Sequence, residues 1–129
     1  MKINWLDREL ITGPYMALVL SEAEYMAAMK HCGISKKNIG SWIKSDSADA
    51  TVHILEKDNK QTFIVALRVN KKVTHDQIVG LLVHEAVHIW QEFKRRIGEN
   101  NPSDEFEAYS IQSISQRLIS AYSLQKAKK

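Results

Sequence analysis

Residues 81–90 read LLVHEAVHIW, and this stretch decides how the rest of the chain is organised. Two histidines and a glutamate interrupt an otherwise apolar run that extends from Ile78 to Trp90. Burying polar groups without partners costs roughly 2–7 kcal/mol each, so their presence calls for a reason. The run carries apolar residues on nearly every side of a helix. The expectation is a central helix packed on several faces, with the three polar groups inside. His84 and His88 are four residues apart, about 40° around a helix axis and one turn from each other. Their rings can converge on one ion, and neutral imidazole binds zinc at about 2.0–2.1 Å. Glu85, about 100° from His84, can flank such an ion without ligating it. The spacing is HExxH, written here His84-Glu85-Ala86-Val87-His88.

The helix that carries this motif opens with Thr74-His75-Asp76-Gln77, a capping-box pattern, and should run to about Ile97, where Gly98 stops it. Working outward, Thr51–Glu56 and Thr62–Val69 are rich in β-forming residues. Lys57-Asp58-Asn59-Lys60 reads as the turn of a hairpin between them. Tyr15–Leu20 reads as a further short strand. Ser21 should cap a first helix that ends at Cys32-Gly33, and residues 34–50 form a connection pinned by Trp42 and Ile43. Beyond Asn101-Pro102, Ser103 can cap a last helix through about Tyr122, with Ile111, Ile114, Leu118 and Tyr122 on one face. The expected fold class is α+β. A short antiparallel sheet of about three strands should pack on the motif helix and a second long C-terminal helix, with residues 123–129 as a flexible basic tail.

Length and composition set the bounds. The 129 residues suit one domain spanning 1–129, and 44% are apolar. The single cysteine, Cys32, excludes an internal disulfide framework and a multi-cysteine zinc site, and a lone thiol fits a reducing compartment. Asp7, Arg8 and Glu9 interrupt the N-terminal segment before any long apolar stretch. The expectation is therefore a cytoplasmic protein with neither signal peptide nor transmembrane segment. The net charge of +3 comes largely from Lys94-Arg95-Arg96 and the tail lysines Lys126, Lys128 and Lys129. Without interleaved aromatic residues or a nucleic-acid motif, this reads as a helix end and a solvated tail, and no nucleic-acid or membrane partner is expected.

A catalytic zinc site needs a third protein ligand and an open position for water. Gln91 and Lys94 stand where the metzincin pattern needs Gly and His, which excludes that class. His31, His53 and His75 lie upstream of the motif, and Glu92 is too far along the same helix to complete a tetrahedron with His84. The acids of Asp104-Glu105-Phe106-Glu107 remain, on a helix that can dock beside the first. Glu107 lies in line with the apolar stripe of the last helix, which favours it, whereas Glu105 sits about 160° away around the axis.

This arrangement resembles that of the gluzincins. Several gluzincin families, including repressor-cleaving peptidases of mobile elements, carry Glu-x-x-Ala followed by a polar residue on the second helix, and there the first Glu is the ligand. By that resemblance Glu105 takes the role, in Glu105-Phe106-Glu107-Ala108-Tyr109, with Tyr109 where those families have Asp or Asn. Helical phase points to Glu107 as the third ligand and the resemblance to Glu105; Glu107 is the expectation, with Glu105 kept open as the alternative. Over about residues 75–120, HEAVHIWQEF and GENNPSDEFEAYSIQSI are also similar to small phage-encoded metallopeptidases.

The motif and the resemblance together imply a zinc-dependent peptidase acting on peptides or proteins, monomeric by default. Zn2+ is its expected cofactor, with His84, His88 and Glu107 as metal ligands. A metal-activated water attacks the peptide bond, with Glu85 as general base. Tyr109 and His75 are candidates to stabilise the oxyanion. Gly80, one turn before His84, would let a strand approach closely, and Val65–Val69 would supply the edge on which substrate pairs. Two other readings stay open: a zinc-stabilised binding module without catalysis, and a basic nucleic-acid-binding protein with incidental histidines.

Overall fold

The computed structural model describes residues 2–6 and 12–127. Asp7, Arg8 and Glu9, and the tail lysines Lys128 and Lys129, lie outside them. The elements are β1 (Tyr15–Val19), α1 (Glu22–His31), a 3-10 turn (Lys36–Asn38), β2 (Ala50–Lys57), β3 (Lys60–Leu67), α2 (His75–Arg96) and α3 (Asp104–Ala127). The fold is α+β: a three-stranded sheet with three helices, the two long C-terminal helices packed together.

The strand order is β1-β3-β2. β2 and β3 form the expected antiparallel hairpin, closed by the pair Lys57 and Lys60. Asp58 and Asn59 between them have φ of 53° and 63°. Positive φ at both central residues is what a two-residue hairpin turn needs, and Asp and Asn tolerate it. β1, however, pairs parallel to β3, with Tyr15 opposite Thr62 and Val19 opposite Ala66, so the sheet is mixed rather than antiparallel. The cause is the long connection after α1. The helix carries the chain back down the sheet, and a Cβ on Gly33 would lie 3.1 Å from Lys57 Nζ, at the hairpin end. Residues 34–49 then return to the opposite end, where Arg68 N donates to Asp49 O and Arg68 Nη1 to Asp46 O and Ala48 O. β2 therefore enters at the end where β1 finishes.

A central strand is buried on both faces, and Phe63 to Leu67 of β3 are wholly inaccessible. Phe63, Val65 and Leu67 face the main core with Leu18, Ile78, Leu82, Ala86, Ile89, Trp90, Ile114, Leu118 and Tyr122. Ile64 and Ala66 face the other way, toward Val19, Tyr25, Met29 and Ile43. Thus α1 covers one face of the sheet and the α2–α3 pair covers the other. The expectation that Val65–Val69 forms an edge is corrected, because β3 is central and β2 is the outer strand beside α2.

Both long helices begin as the sequence signals. Thr74 makes the full capping box with Gln77, and Ser103 Oγ accepts from Phe106 N at 3.3 Å. Gly98, at φ 79°, follows the last turn of α2. α3 continues to Ala127, past the expected end near Tyr122. Most of the expected flexible tail is therefore helix, and Gln125 Nε2 ties it down by donating to Leu18 O at 2.9 Å. No helix among the described residues is long and apolar enough to cross a membrane.

Candidate metal centre

α2 is packed on two sides, not all round. The sheet and α3 take Ile78, Leu82, Ala86, Ile89 and Trp90, and among the described residues no element covers the remaining flank. His84 and His88 lie on that open flank and are exposed, which corrects the expectation of buried histidines. Glu85, one residue round, turns inward toward β2 and is only 6% exposed. The polar groups of LLVHEAVHIW thus divide. Two imidazoles face solvent, where they carry no desolvation penalty, and one carboxyl lies inside.

The two Nε2 atoms are 3.1 Å apart, with the rings edge-on at 80°. Two zinc–nitrogen bonds of about 2.0–2.1 Å at a tetrahedral angle span about 3.3 Å, so this separation suits two arms of one ion. Gln91, one turn further on, places Oε1 3.2 Å from His88 Nδ1. In the neutral ring that contact holds the proton on Nδ1 and leaves the Nε2 lone pair toward His84. A second partner of this kind commonly orients metal-binding histidines.

Beside the pair lies a groove of about 370 Å³, walled by His84, Glu85, His88, Gln91 and Glu92 of α2 and by Ala50, Thr51, Val52 and Ile54 of β2. A broader depression of about 820 Å³ continues from it past Asp49, Lys72, Gln77 and Gly80, and the two share Ala50, His84 and Glu85. Burial pushes the Glu85 carboxyl above its usual range, while His84, His88 and Lys44 pull it back in part. Comparisons with protein-family models, with curated proteins and with solved structures find no match. The functional case therefore rests on this geometry and on the HExxH spacing.

The other expected residues stand elsewhere. Glu107 Oε2 accepts from Trp90 Nε1 at 2.8 Å and meets Lys94 Nζ at 3.5 Å. Trp90 is two residues, about 160° around α2, from His88, so Glu107 approaches the helix on its far flank. Glu105 is exposed at the start of α3. Tyr109 lines a separate depression with Trp90, Phe93 and Phe106. His75 is the exposed first residue of α2. Gly80 lines the broader depression and faces open space, since a Cβ there would meet nothing within 4 Å. Among the described residues no three His, Cys, Asp or Glu side chains gather to hold a metal. The histidine pair thus fits zinc as two ligands, and α3 in this arrangement does not supply the third.

Three groove residues were not among the expected site residues. Gln91 is three residues from His88 and was legible from helical spacing alone. Lys44 and Thr51 were not. Lys44 is brought to the groove by an irregular connection, held where its backbone N donates to the Thr51 hydroxyl at 3.2 Å.

The engagement of Glu107 has a testable consequence. The Trp90 hydrogen bond, aided by Lys94, holds its carboxyl below the usual glutamate range. A depressed native value adds stability above the unfolded-state value of about 4.3, and that stability is lost as the pH falls through the native value. Glu107→Gln should lower the melting temperature at pH 7 and have less effect near pH 3. In this geometry zinc affinity should be unchanged. Thermal melts at both pH values and a zinc titration check all three outcomes.

Proposed function

We propose that the chain is a zinc-dependent peptidase in which His84 and His88 hold the metal and Glu85 serves as general base. The observation that carries this reading is the convergence of two imidazole Nε2 atoms beside a buried carboxyl, at the junction of two grooves. When bound there, zinc would polarise a carbonyl oxygen and lower the pKa of its water toward neutrality. Glu85 would accept a proton at its carboxylate and pass it to the leaving amine. Its side chain is held between α2 and β2, so little reorganisation is needed for that transfer.

The outer position of β2 supports a peptide as substrate. An extended chain laid along a free strand edge gains backbone hydrogen bonds, and a groove beside that edge selects its side chains. Here Ala50–Ile54 of β2 and the histidine pair border one groove, so a peptide paired on β2 would pass the pair. A zinc-holding binding module is the second reading. It is favoured by the commitment of Glu107 to Trp90 and Lys94, which leaves the site with two protein ligands.

Metal content of untagged protein prepared without chelators tests both readings against the absence of a site. About one zinc per chain is expected, with affinity falling by about 100-fold or more in His88→Ala. No uptake on adding zinc would remove the metal and the peptidase together, leaving the histidines as exposed residues that share a hydrogen bond.

A further inference from the structure

The face of the molecule opposite the histidine pair carries an apolar groove of about 250 Å³. Trp90, Phe93, Phe106, Tyr109 and Ile114 line it, with Gly13 and Pro14 at its rim. Tyr109 is 64% exposed there. An aromatic side chain left so open on a helix is surface that association would cover. The same chain also leaves large apolar side chains open in its N-terminal segment. Ile3, Trp5 and Leu6 are 60%, 85% and 89% exposed. Few soluble chains expose an indole to that extent, since Trp buries roughly 150–250 Å² when it packs.

These two features are neighbours in the sequence. The segment bearing Trp5 lies close in sequence to Gly13-Pro14, which is the rim of the groove. Arg117 Nη1 fixes that rim by donating to Pro14 O at 3.2 Å. The groove is of a size for one large side chain, and its walls are aromatic. Within the single chain the segment does not enter it, since Ile3, Trp5 and Leu6 remain open to solvent. A two-fold axis beside Gly13-Pro14 would let each segment cross into the groove of a second copy. Such an exchange satisfies both chains with one self-complementary contact.

We infer that the groove lined by Phe93, Phe106 and Tyr109 is a homodimer interface, filled by the Ile3–Leu6 segment of a second copy with Trp5 as its anchor. A stable interface buries about 1,200–2,000 Å² in total, and each Trp5 indole alone would contribute roughly 150–250 Å². The interface lies on the far flank of α2 from His84 and His88, so dimerisation leaves the metal-centre groove open. This inference is independent of the peptidase reading.

Sedimentation of the full chain over about a hundred-fold range of concentration tests it. The wild type should dimerise and dissociate on dilution. Trp5→Ala and Tyr109→Glu, both at exposed positions, should each weaken the dimer by about 30-fold or more, as expected for an interface anchor. Iodide quenching, compared with Trp5→Phe, reports where the Trp5 indole sits. A wild type that stays monomeric at the highest concentration overturns the inference, whether Trp5 is shielded in its own groove or open to solvent. A dimer unaffected by both substitutions overturns it equally.

Discussion

Glu85→Gln should retain zinc and lose hydrolysis. Removing a positioned general base typically lowers rate by about 10²–10⁴-fold, and the amide cannot accept the proton that the carboxylate takes. Gln keeps the size and shape of the side chain, so the walls of the groove and the histidine pair stay in place. The same substitution should make the protein more stable once zinc is stripped. Burial holds the Glu85 carboxyl above its usual range, so folding costs more with the carboxyl ionised than with it protonated. The stability this forfeits appears as the pH rises through the raised native value, and none is forfeited in acid. Chelated Glu85→Gln should therefore melt above chelated wild type at pH 8 and level with it near pH 4. Digestion of a mixed peptide library, read by mass spectrometry, measures the catalytic part. Cleavage that survives the substitution would remove Glu85 from the mechanism. Zinc uptake without cleavage by the wild type would leave the binding module as the function.

Much of the fold was legible in the sequence because its signals are local. Thr74 with Gln77, Ser21 with Glu24 and the Asp58-Asn59 turn each declare an element boundary through a hydrogen bond or a backbone conformation that few residues can supply. The stripe of Ile114, Leu118 and Tyr122 marks the buried face of α3. What was not legible depends on where elements lie in space. The parallel pairing of β1 is set by the path of residues 34–49, a connection with no periodicity to read. His84 and His88 are exposed because, among the described residues, no element packs on their flank, and a run of apolar residues cannot reveal which side of a helix lacks a neighbour. Val83 is part of that run, and it too is 37% exposed. For the third ligand, helical phase put Glu107 near the α2–α3 seam, where it lies. It could not tell that Trp90 and Lys94, rather than the histidines, would be the groups across from it.

Trp90→Ala should have the largest effect on stability of any single substitution at the α2–α3 seam. Trp90 is 2% exposed and belongs to the main core. Its ring meets Phe106 of α3 edge-on, with centroids 5.6 Å apart, and its Nε1 donates to Glu107. Truncation removes a large apolar volume that the rigid helix pair cannot refill. It also leaves the Glu107 carboxylate without its main partner. Substitutions of this kind cost about 3–5 kcal/mol, a large share of the roughly 5–15 kcal/mol by which such a domain is stable. The melting temperature should fall by roughly 10–20 °C. Trp90→Phe keeps most of the packing and gives up the hydrogen bond, so it should fall between the two proteins. Tyr109→Ala, in the same groove but on α3 and exposed, should change stability by no more than about 0.5 kcal/mol in monomeric protein. Chemical denaturation of the three variants at one concentration ranks them. A Trp90→Ala protein as stable as Tyr109→Ala would mean that Leu82, Ile89 and Leu118 hold the helices together without the indole, and that the Trp90–Glu107 contact does not fix the position of α3.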